Sequence, residues 1–214
     1  MGLRSKLFAL VYDRLMAGTE KAGLGEIRSR LLTEATGDVL EVGAGTGRNL
    51  AYYGTSVTSL TLTEPDPSMF RRLERTARAA RRPTTALRAP AEDLPFDDAM
   101  FDTVVSTLVL CGVSDQPRAA REIRRVLKPG GRLLLVEHVR SSEDDVARRQ
   151  DRISWLTRLA LGCDVNRPTS QTLLRSGFAI DDLVDGELPN SPSYVRPMIV
   201  GTATRSLDAH TSRS

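Results

Sequence analysis

Apolar residues along the chain form short runs that alternate with amphipathic segments. Strands are predicted for the runs at 38–42, 57–63, 84–88, 101–110 and 132–139. Helices are predicted up to residue 35, from residue 48 onwards, over 68–81 and over 119–127. This alternation is typical of an α/β fold with a doubly wound parallel sheet, which binds its ligand at the carboxyl ends of the strands.

The first predicted strand runs into a glycine-rich loop, Gly43-Ala44-Gly45-Thr46-Gly47. Glycine permits positive φ and lets a ligand approach the main chain. The spacing G-x-G-x-G differs from the dinucleotide pattern G-x-G-x-x-G, and Glu41 lies two positions before the first glycine. A carboxylate there would repel phosphate and favour a cationic or amine-bearing ligand. S-Adenosylmethionine, which carries an ammonium and a sulfonium group, fits this chemistry.

A second acidic residue ends the second predicted strand. Glu64 lies 21 positions after Gly43 and directly before Pro65. An acid about 20 residues beyond the glycine loop of a βαβ unit binds the ribose hydroxyls of a nucleotide. The alternative is a helix N-terminal acid. We favour ribose binding, since the strand already ends at this point.

Composition indicates one globular domain. The 214 residues are 40% apolar and 27% charged, with a net charge of +3. We predict a single domain over 1–204, with a helical lid at 1–35 and a substrate-side insert at 141–170, followed by a disordered tail at 205–214. The arginines at 71–82 lie on a predicted helix, and no aromatic residues are interleaved among them for base stacking, so no nucleic-acid partner is expected.

The cysteine and histidine content predicts no metal site. The chain has two cysteines, Cys111 and Cys163, and two histidines, His138 and His210, without a metal-ligand spacing. We therefore expect a reducing, cytoplasmic environment. The apolar stretch at 7–12 is too short for a transmembrane segment, although an amphipathic N-terminal helix leaves peripheral membrane contact open.

Five motifs occur in the order found in class I S-adenosylmethionine-dependent methyltransferases, and the chain resembles that family over about 38–139. The motifs are Leu40-Glu41-Val42-Gly43-Ala44-Gly45-Thr46-Gly47, Glu64-Pro65, Ala91-Glu92-Asp93-Leu94-Pro95-Phe96, Phe101-Asp102-Thr103-Val104-Val105 and Arg125-Val126-Leu127-Lys128-Pro129-Gly130-Gly131. The resemblance implies a Rossmann-like sheet, mostly parallel with an antiparallel strand near the C-terminus, and S-adenosylmethionine as the cofactor.

The resemblance also implies roles for particular residues. The glycine loop holds the methionine part of the cofactor, and the acid after the second strand binds ribose. The implied cofactor-binding residues are Glu41, Gly43, Ala44, Gly45, Gly47, Glu64, Pro65, Ala91, Glu92, Thr107 and Leu108. Many relatives have an Asp that bonds the adenine amino group where this chain has Pro90. Adenine recognition therefore falls to Ala91 and Glu92, unless Glu92 caps or braces its loop.

A second resemblance, to a smaller family, indicates the chemical class of the methyl acceptor. The segments Ser106-Thr107-Leu108-Val109-Leu110-Cys111, Val136-Glu137-His138-Val139, Gly162-Cys163-Asp164 and Val195-Arg196-Pro197-Met198-Ile199-Val200-Gly201 are similar to the methyltransferase-like thiol S-methyltransferases. The resemblance implies a small-molecule thiol acceptor. The alternatives are a phospholipid (phosphatidylethanolamine) N-methyltransferase or a quinone methyltransferase, and a non-catalytic module that binds S-adenosylmethionine.

Four residues are candidates on the substrate side. His138 is a general base, or a buried histidine bonded to a backbone carbonyl. Cys111 fits a small buried apolar residue better than a nucleophile, since transfer from a sulfonium needs no covalent enzyme intermediate. Asp164 orients the substrate or, like Asn166, caps the helix that begins near Pro168. Tyr12 covers the cofactor or packs in the core.

Trp155 lies in a segment whose apolar spacing predicts a helix packed over the site. The alternative for Trp155 is ordinary burial in the core. Glu137, next to His138, serves either the substrate pocket or the sheet.

Overall fold

The computed structural model describes residues 16–206. Its centre is one seven-stranded sheet. The strands are β1 Gly37–Val42, β2 Val57–Thr63, β3 Thr84–Leu87, β4 Phe101–Thr107, β5 Leu127–His138, β6 Phe178–Glu187 and β7 Pro197–Arg205. Their order is β3-β2-β1-β4-β5-β7-β6, and β7 runs antiparallel to both of its neighbours. The predicted sheet, mostly parallel with an antiparallel strand near the C-terminus, is confirmed.

Helices precede and separate the strands along the chain. They are α1 Gly25–Leu32, α2 Pro67–Arg78, α3 Gln116–Val126, α4 Asp144–Leu161 and α5 Thr169–Arg175, with a π-helical turn at Glu20–Leu24 before α1. Aspartate side chains cap the N-termini of two of these helices. The Asp66 carboxylate accepts from the backbone N–H groups of Ser68 and Met69, and that of Asp115 accepts from Arg118. In both helices a proline follows the cap within the first turn, where its missing N–H costs nothing.

The core lies on both faces of the sheet, because successive strand residues point to opposite sides. Val39 and Val105 belong to one buried apolar cluster, and Leu40 and Val104 belong to the other. All four side chains are fully buried. This double coverage explains why the central strands appear in the sequence as nearly continuous apolar runs.

Element boundaries differ from those predicted at several positions, including the following three. The helix expected from Arg48 is only a 3₁₀ turn, Arg48–Ala51. Strand β4 ends at Thr107 because Leu108 adopts a φ of 59°, which strand geometry excludes. The segment at 128–131, predicted as a break after a helix, instead belongs to β5.

The two chain ends lie mostly outside the described residues. Tyr12 and the N-terminal amphipathic segment fall there, as do residues 207–214 with His210. Strand β7 includes Arg205, one residue into the predicted tail. No helix within residues 16–206 has the length and apolar character needed to cross a bilayer.

Candidate active site

The glycine loop follows β1 at the carboxyl edge of the sheet, where the strand order reverses between β1 and β4. Gly43, Gly45 and Gly47 have φ values of 57°, 60° and 86°, which glycine adopts most readily. A Cβ atom on Gly43 would lie 2.7 Å from both Val109 methyl carbons, whereas one on Gly45 would meet nothing within 4 Å. The loop is therefore packed on one side and open above Gly45. This open main chain is what close approach by a cofactor requires.

Glu64 stands beside this loop. Its carboxylate accepts hydrogen bonds from the backbone N–H of Gly45 at 2.9 Å and from that of Asp66 at 2.8 Å. Burial raises the pKa of Glu64 above its ordinary value, although these two bonds oppose the shift. The end of β2 and the glycine loop are thus joined through one side chain, and ribose binding by Glu64 stays a prediction. Pro65 follows it at the surface.

Glu41 is buried inside a polar network. Its carboxylate accepts from the Asn49 amide at 3.0 Å and from the Tyr53 hydroxyl at 2.7 Å. The Asn49 amide oxygen in turn accepts from the Arg28 guanidinium at 2.7 Å, and the amide nitrogen also bonds the Thr107 hydroxyl at 3.1 Å. Burial is the main cause that raises the pKa of Glu41 to about 7. Sequence reasoning found Glu41 and Thr107 but missed the other three residues.

The third cofactor segment lies beside the start of α3. Ala91 is buried, and the Glu92 carboxylate accepts from the backbone N–H of Ser114 at 2.7 Å. The Glu92 side chain therefore stabilises the loop at 113–115. The backbone near Ala91 and Glu92 stays a predicted adenine contact.

Glu137 holds the loop that follows β4 through hydrogen bonds to its backbone. Its buried carboxylate accepts from the Ser106 hydroxyl at 2.7 Å, from the backbone N–H groups of Val109 and Leu110 at 3.0 Å each, and from that of Cys111 at 3.2 Å. Burial raises its pKa, and these four bonds oppose the shift. Glu137 thus fixes the path of the chain from Leu108 to Cys111.

The structure brings together Cys111, His138 and Cys163. The Nδ1 atom of His138 lies 3.6 Å from Sγ of Cys111 and 3.2 Å from Sγ of Cys163. Each of the three residues is buried, and both cysteines are free thiols. The hydrogen bond with Cys163, together with burial, raises the pKa of the Cys111 thiol well above its ordinary value. Although the sequence shows no metal-ligand spacing, residues far apart in the chain meet here, and their three ligand atoms lie within 4.8 Å of one another.

Two alternative roles that the sequence left open for residues of this region are not found in the structure. His138 bonds no backbone carbonyl within the described residues, and its buried Nε2 has no hydrogen-bond partner among them. Neither Asp164 nor Asn166 caps α5, whose N-cap Pro168 makes no side-chain capping bond. Asp164 instead accepts from Arg158 at 2.8 Å and from Arg167 at 2.6 Å.

Helix α4 forms as predicted, but Trp155 is not buried. Trp155, Leu156 and Leu159 are 66%, 48% and 56% exposed. The apolar spacing predicted a helix correctly, but it did not predict which side of that helix contacts the domain.

Comparisons with known proteins agree with this geometry. Residues 40–135 match the family model described as a methyltransferase domain. The human thiol S-methyltransferase TMT1A is 31% identical over 92% of this chain and 83% of its own, and human thiol S-methyltransferase TMT1B is 34% identical over 90% and 81%. A solved SAM-dependent methyltransferase from Methanosarcina mazei shares the fold, with a TM-score of 0.63 and 22% identity over 84% of this chain and 96% of that one.

The open glycine loop, the adjacent acid Glu64 and the sheet order fit S-adenosylmethionine as the methyl donor. The match to these two relatives covers about nine-tenths of the chain, well beyond the residues that carry the cofactor motifs. The chain therefore belongs to the class I S-adenosylmethionine-dependent methyltransferases, in the family of the thiol S-methyltransferases.

Proposed function

We propose that this methyltransferase transfers the methyl group of S-adenosylmethionine to a small-molecule thiol. The observation that carries the proposal is the match to two thiol S-methyltransferases over about nine-tenths of the chain. The likeness therefore extends beyond the cofactor motifs at 40–131.

The cofactor side of the proposal rests on the loop and its acid. Gly43, Gly45 and Gly47 would hold the methionine part against exposed main chain, and Glu64 would accept bonds from the ribose hydroxyls. The backbone N–H that donates to Glu64 belongs to Gly45, the loop residue whose Cβ position is open. Glu41, held by Asn49 and Tyr53, adds an acidic group below the loop that suits an ammonium ion.

On the acceptor side, the reaction depends mainly on the alignment of the nucleophile with the methyl group. The bound cofactor supplies a methyl group already activated by the positive sulfonium. Displacement then needs a nucleophilic sulfur about 3–3.5 Å away and in line, and such positioning contributes about 7–11 kcal/mol to barrier reduction. His138, at the carboxyl end of β5, is the residue that we assign to the acceptor side.

The test is transfer of a labelled methyl group to a small alkyl thiol and to hydrogen sulfide, with the alcohol analogue of the alkyl thiol as the matched non-substrate. Gly45→Arg is the cofactor-blind control, because its side chain would fill the open space over the loop. We expect a methyl thioether from the thiol, no ether from the alcohol and no product from the variant. Wild-type protein that binds the cofactor but leaves both thiols unmethylated would refute the proposal.

A second candidate is a lipid or quinol methyltransferase. The exposed apolar side chains of Trp155, Leu156 and Leu159 on α4 favour it, because an exposed apolar surface suits contact with a membrane or a hydrophobic acceptor. Methylation of phosphatidylethanolamine or of a quinol in preference to the thiols would establish this candidate.

A further inference from the structure

Three soft ligand atoms converge at the carboxyl edge of the sheet. Cys111 lies in the loop after β4, His138 is the last residue of β5, and Cys163 follows the end of α4. The two Sγ atoms and a ring nitrogen of His138 all lie within 4.8 Å of one another. Thiolate and imidazole are the ligands that zinc prefers in proteins.

The main chain holds the two cysteine-bearing loops together without help from the thiols. The backbone N–H of Asp164 donates to the Cys111 carbonyl at 2.9 Å. Gly112 packs so closely on the Gly162 carbonyl that an added Cβ would lie 2.9 Å from its oxygen. Since Glu137 also binds the Cys111 N–H, the three ligand positions are fixed by three separate backbone contacts. The site is therefore preorganised.

The distances among the three ligand atoms are close to those around one tetrahedrally coordinated ion. With Zn–S about 2.3 Å and Zn–N about 2.0 Å, tetrahedral geometry places sulfur and nitrogen about 3.5 Å apart and the two sulfurs about 3.8 Å apart. The observed S···N distances are 3.6 Å and 3.2 Å. Two thiolates also neutralise a divalent cation, so that the zinc site without substrate would bury no net charge.

The histidine ring supplies a second, independent observation. Among the described residues the only hydrogen-bond partners of the His138 ring are the two thiol sulfurs, which both lie at Nδ1 and are weak donors and acceptors. A buried imidazole normally has stronger partners than these. A metal ion at Nδ1 would supply one.

We propose that Cys111, His138 and Cys163 bind one Zn²⁺ ion whose fourth ligand is the sulfur of the thiol substrate. Three protein ligands with one open position are typical of catalytic zinc. The assignment of the substrate sulfur as the fourth zinc ligand rests on the proposed function. Under this proposal His138 acts as a metal ligand and not as a general base.

The position relative to the glycine loop supports the assignment. Val109, two residues before Cys111, packs against Gly43, so the same short loop contacts the cofactor side and carries a zinc ligand. A thiol that binds the zinc loses its proton to solvent and becomes a thiolate. Its sulfur then forms the bond to the methyl carbon as the sulfonium carbon–sulfur bond breaks. The products are a methyl thioether and S-adenosylhomocysteine.

The first test measures metal binding by the full chain, without reference to activity. Metal-free, reduced protein is titrated with Zn²⁺ in competition with a chromophoric chelator. We expect one equivalent bound by the wild type, and at least 100-fold weaker binding by Cys111→Ala and by Cys163→Ala. Met198→Leu, which changes the buried residue paired with His138 across β5 and β7, is the matched control and should keep full zinc affinity.

Each variant is also titrated with S-adenosylmethionine, which reports folding at the neighbouring loop. Cofactor affinity within threefold of wild type, together with lost zinc binding, supports the site. Wild-type protein that takes up no zinc, zinc affinity unchanged in Cys163→Ala, or a Cys111–Cys163 disulfide that forms in place of a metal complex would each overturn it.

The second test examines the fourth ligand. In protein loaded with Co²⁺ in place of zinc, addition of a small alkyl thiol should raise the sulfur-to-metal charge-transfer absorption by about half, as a third thiolate joins two. An unchanged spectrum would overturn the substrate-ligand assignment. Thiol methylation by protein free of zinc would overturn the inference while the proposed function stands, whereas zinc binding without thiol methylation would refute the proposed function and leave the three-ligand site intact.

Discussion

The side chain of Val109 fills the space that a Cβ atom on Gly43 would need, at 2.7 Å from both of its methyl carbons. The glycine loop after β1 and the loop after β4 are therefore in direct contact. Since Glu137 binds the backbone of Val109, Leu110 and Cys111, the second loop is fixed to β5 as well. A single packed unit thus joins the cofactor side of the site to the acceptor side.

Gly43→Ala should destabilise the protein by about 3 kcal/mol. A non-glycine residue at positive φ costs about 1 kcal/mol or more, and forcing a methyl group against Val109 adds a penalty of about 1–3 kcal/mol. Chemical denaturation measures the loss. A decrease of less than 1 kcal/mol would show that the two loops separate easily.

Gly45→Ala should act differently from Gly43→Ala. Its Cβ meets no protein atom, so we expect a stability loss of about 1 kcal/mol from φ strain alone. Cofactor affinity should fall at least tenfold, because the added methyl group enters the space above the loop. Gly130→Ala is the matched control, with a φ of 76° and no neighbour within 4 Å of its Cβ, and it should show the strain without the loss of affinity. Equal cofactor affinity in the two variants, measured by calorimetry, would contradict a cofactor site at Gly45.

Glu137→Gln should destabilise the protein by about 2–4 kcal/mol. The amide places an NH₂ group among four donors that now point at a carboxylate, which leaves at least one of them unsatisfied in the interior. Ser106→Ala, which removes only one of these donors, should cost about 1 kcal/mol. Denaturant unfolding compares the two variants, and similar losses would argue that the backbone bonds contribute little.

Glu41→Gln should remove a pH dependence of stability. The folded protein raises the pKa of Glu41 from 4.5 to about 7, so between these pH values the folded state binds more protons than the unfolded state. This contribution is complete below pH 4.5 and is lost as the pH rises through 7. The wild-type advantage over Glu41→Gln should therefore fall by about 3 kcal/mol across that range. Free energies of unfolding from urea titrations at several pH values provide the measurement, and parallel curves for the two proteins would contradict a shifted Glu41.

The glycine loop and the acid beside it were predictable from sequence because they depend on local signals. An apolar run followed by alternating glycines predicted β1 and its loop, and the interval of 21 positions after Gly43 predicted Glu64 at the end of β2. The Arg28–Asn49–Glu41 network was not predicted. Arg28 lies 21 residues before Asn49 on a helix whose packing no local pattern specifies.

The acceptor side was harder to predict for a related reason. His138 is 27 residues from Cys111 and 25 from Cys163, so no metal-ligand spacing appears in the sequence. Only the parallel strand order and the return of the chain after α4 bring these residues together. Trp155 was assigned to a packed helix because periodicity identifies an apolar side of a helix without showing what covers it.

The central claim is that the methyl acceptor is a small thiol, and a one-pot competition tests it most directly. The enzyme receives labelled S-adenosylmethionine with equimolar alkyl thiol, phosphatidylethanolamine in mixed micelles and a quinol, and mass spectrometry identifies the methylated products. We predict that the thioether carries at least 99% of the transferred label, since a 100-fold preference corresponds to about 2.7 kcal/mol of transition-state discrimination. Label found mainly in the lipid or the quinol would contradict the claim.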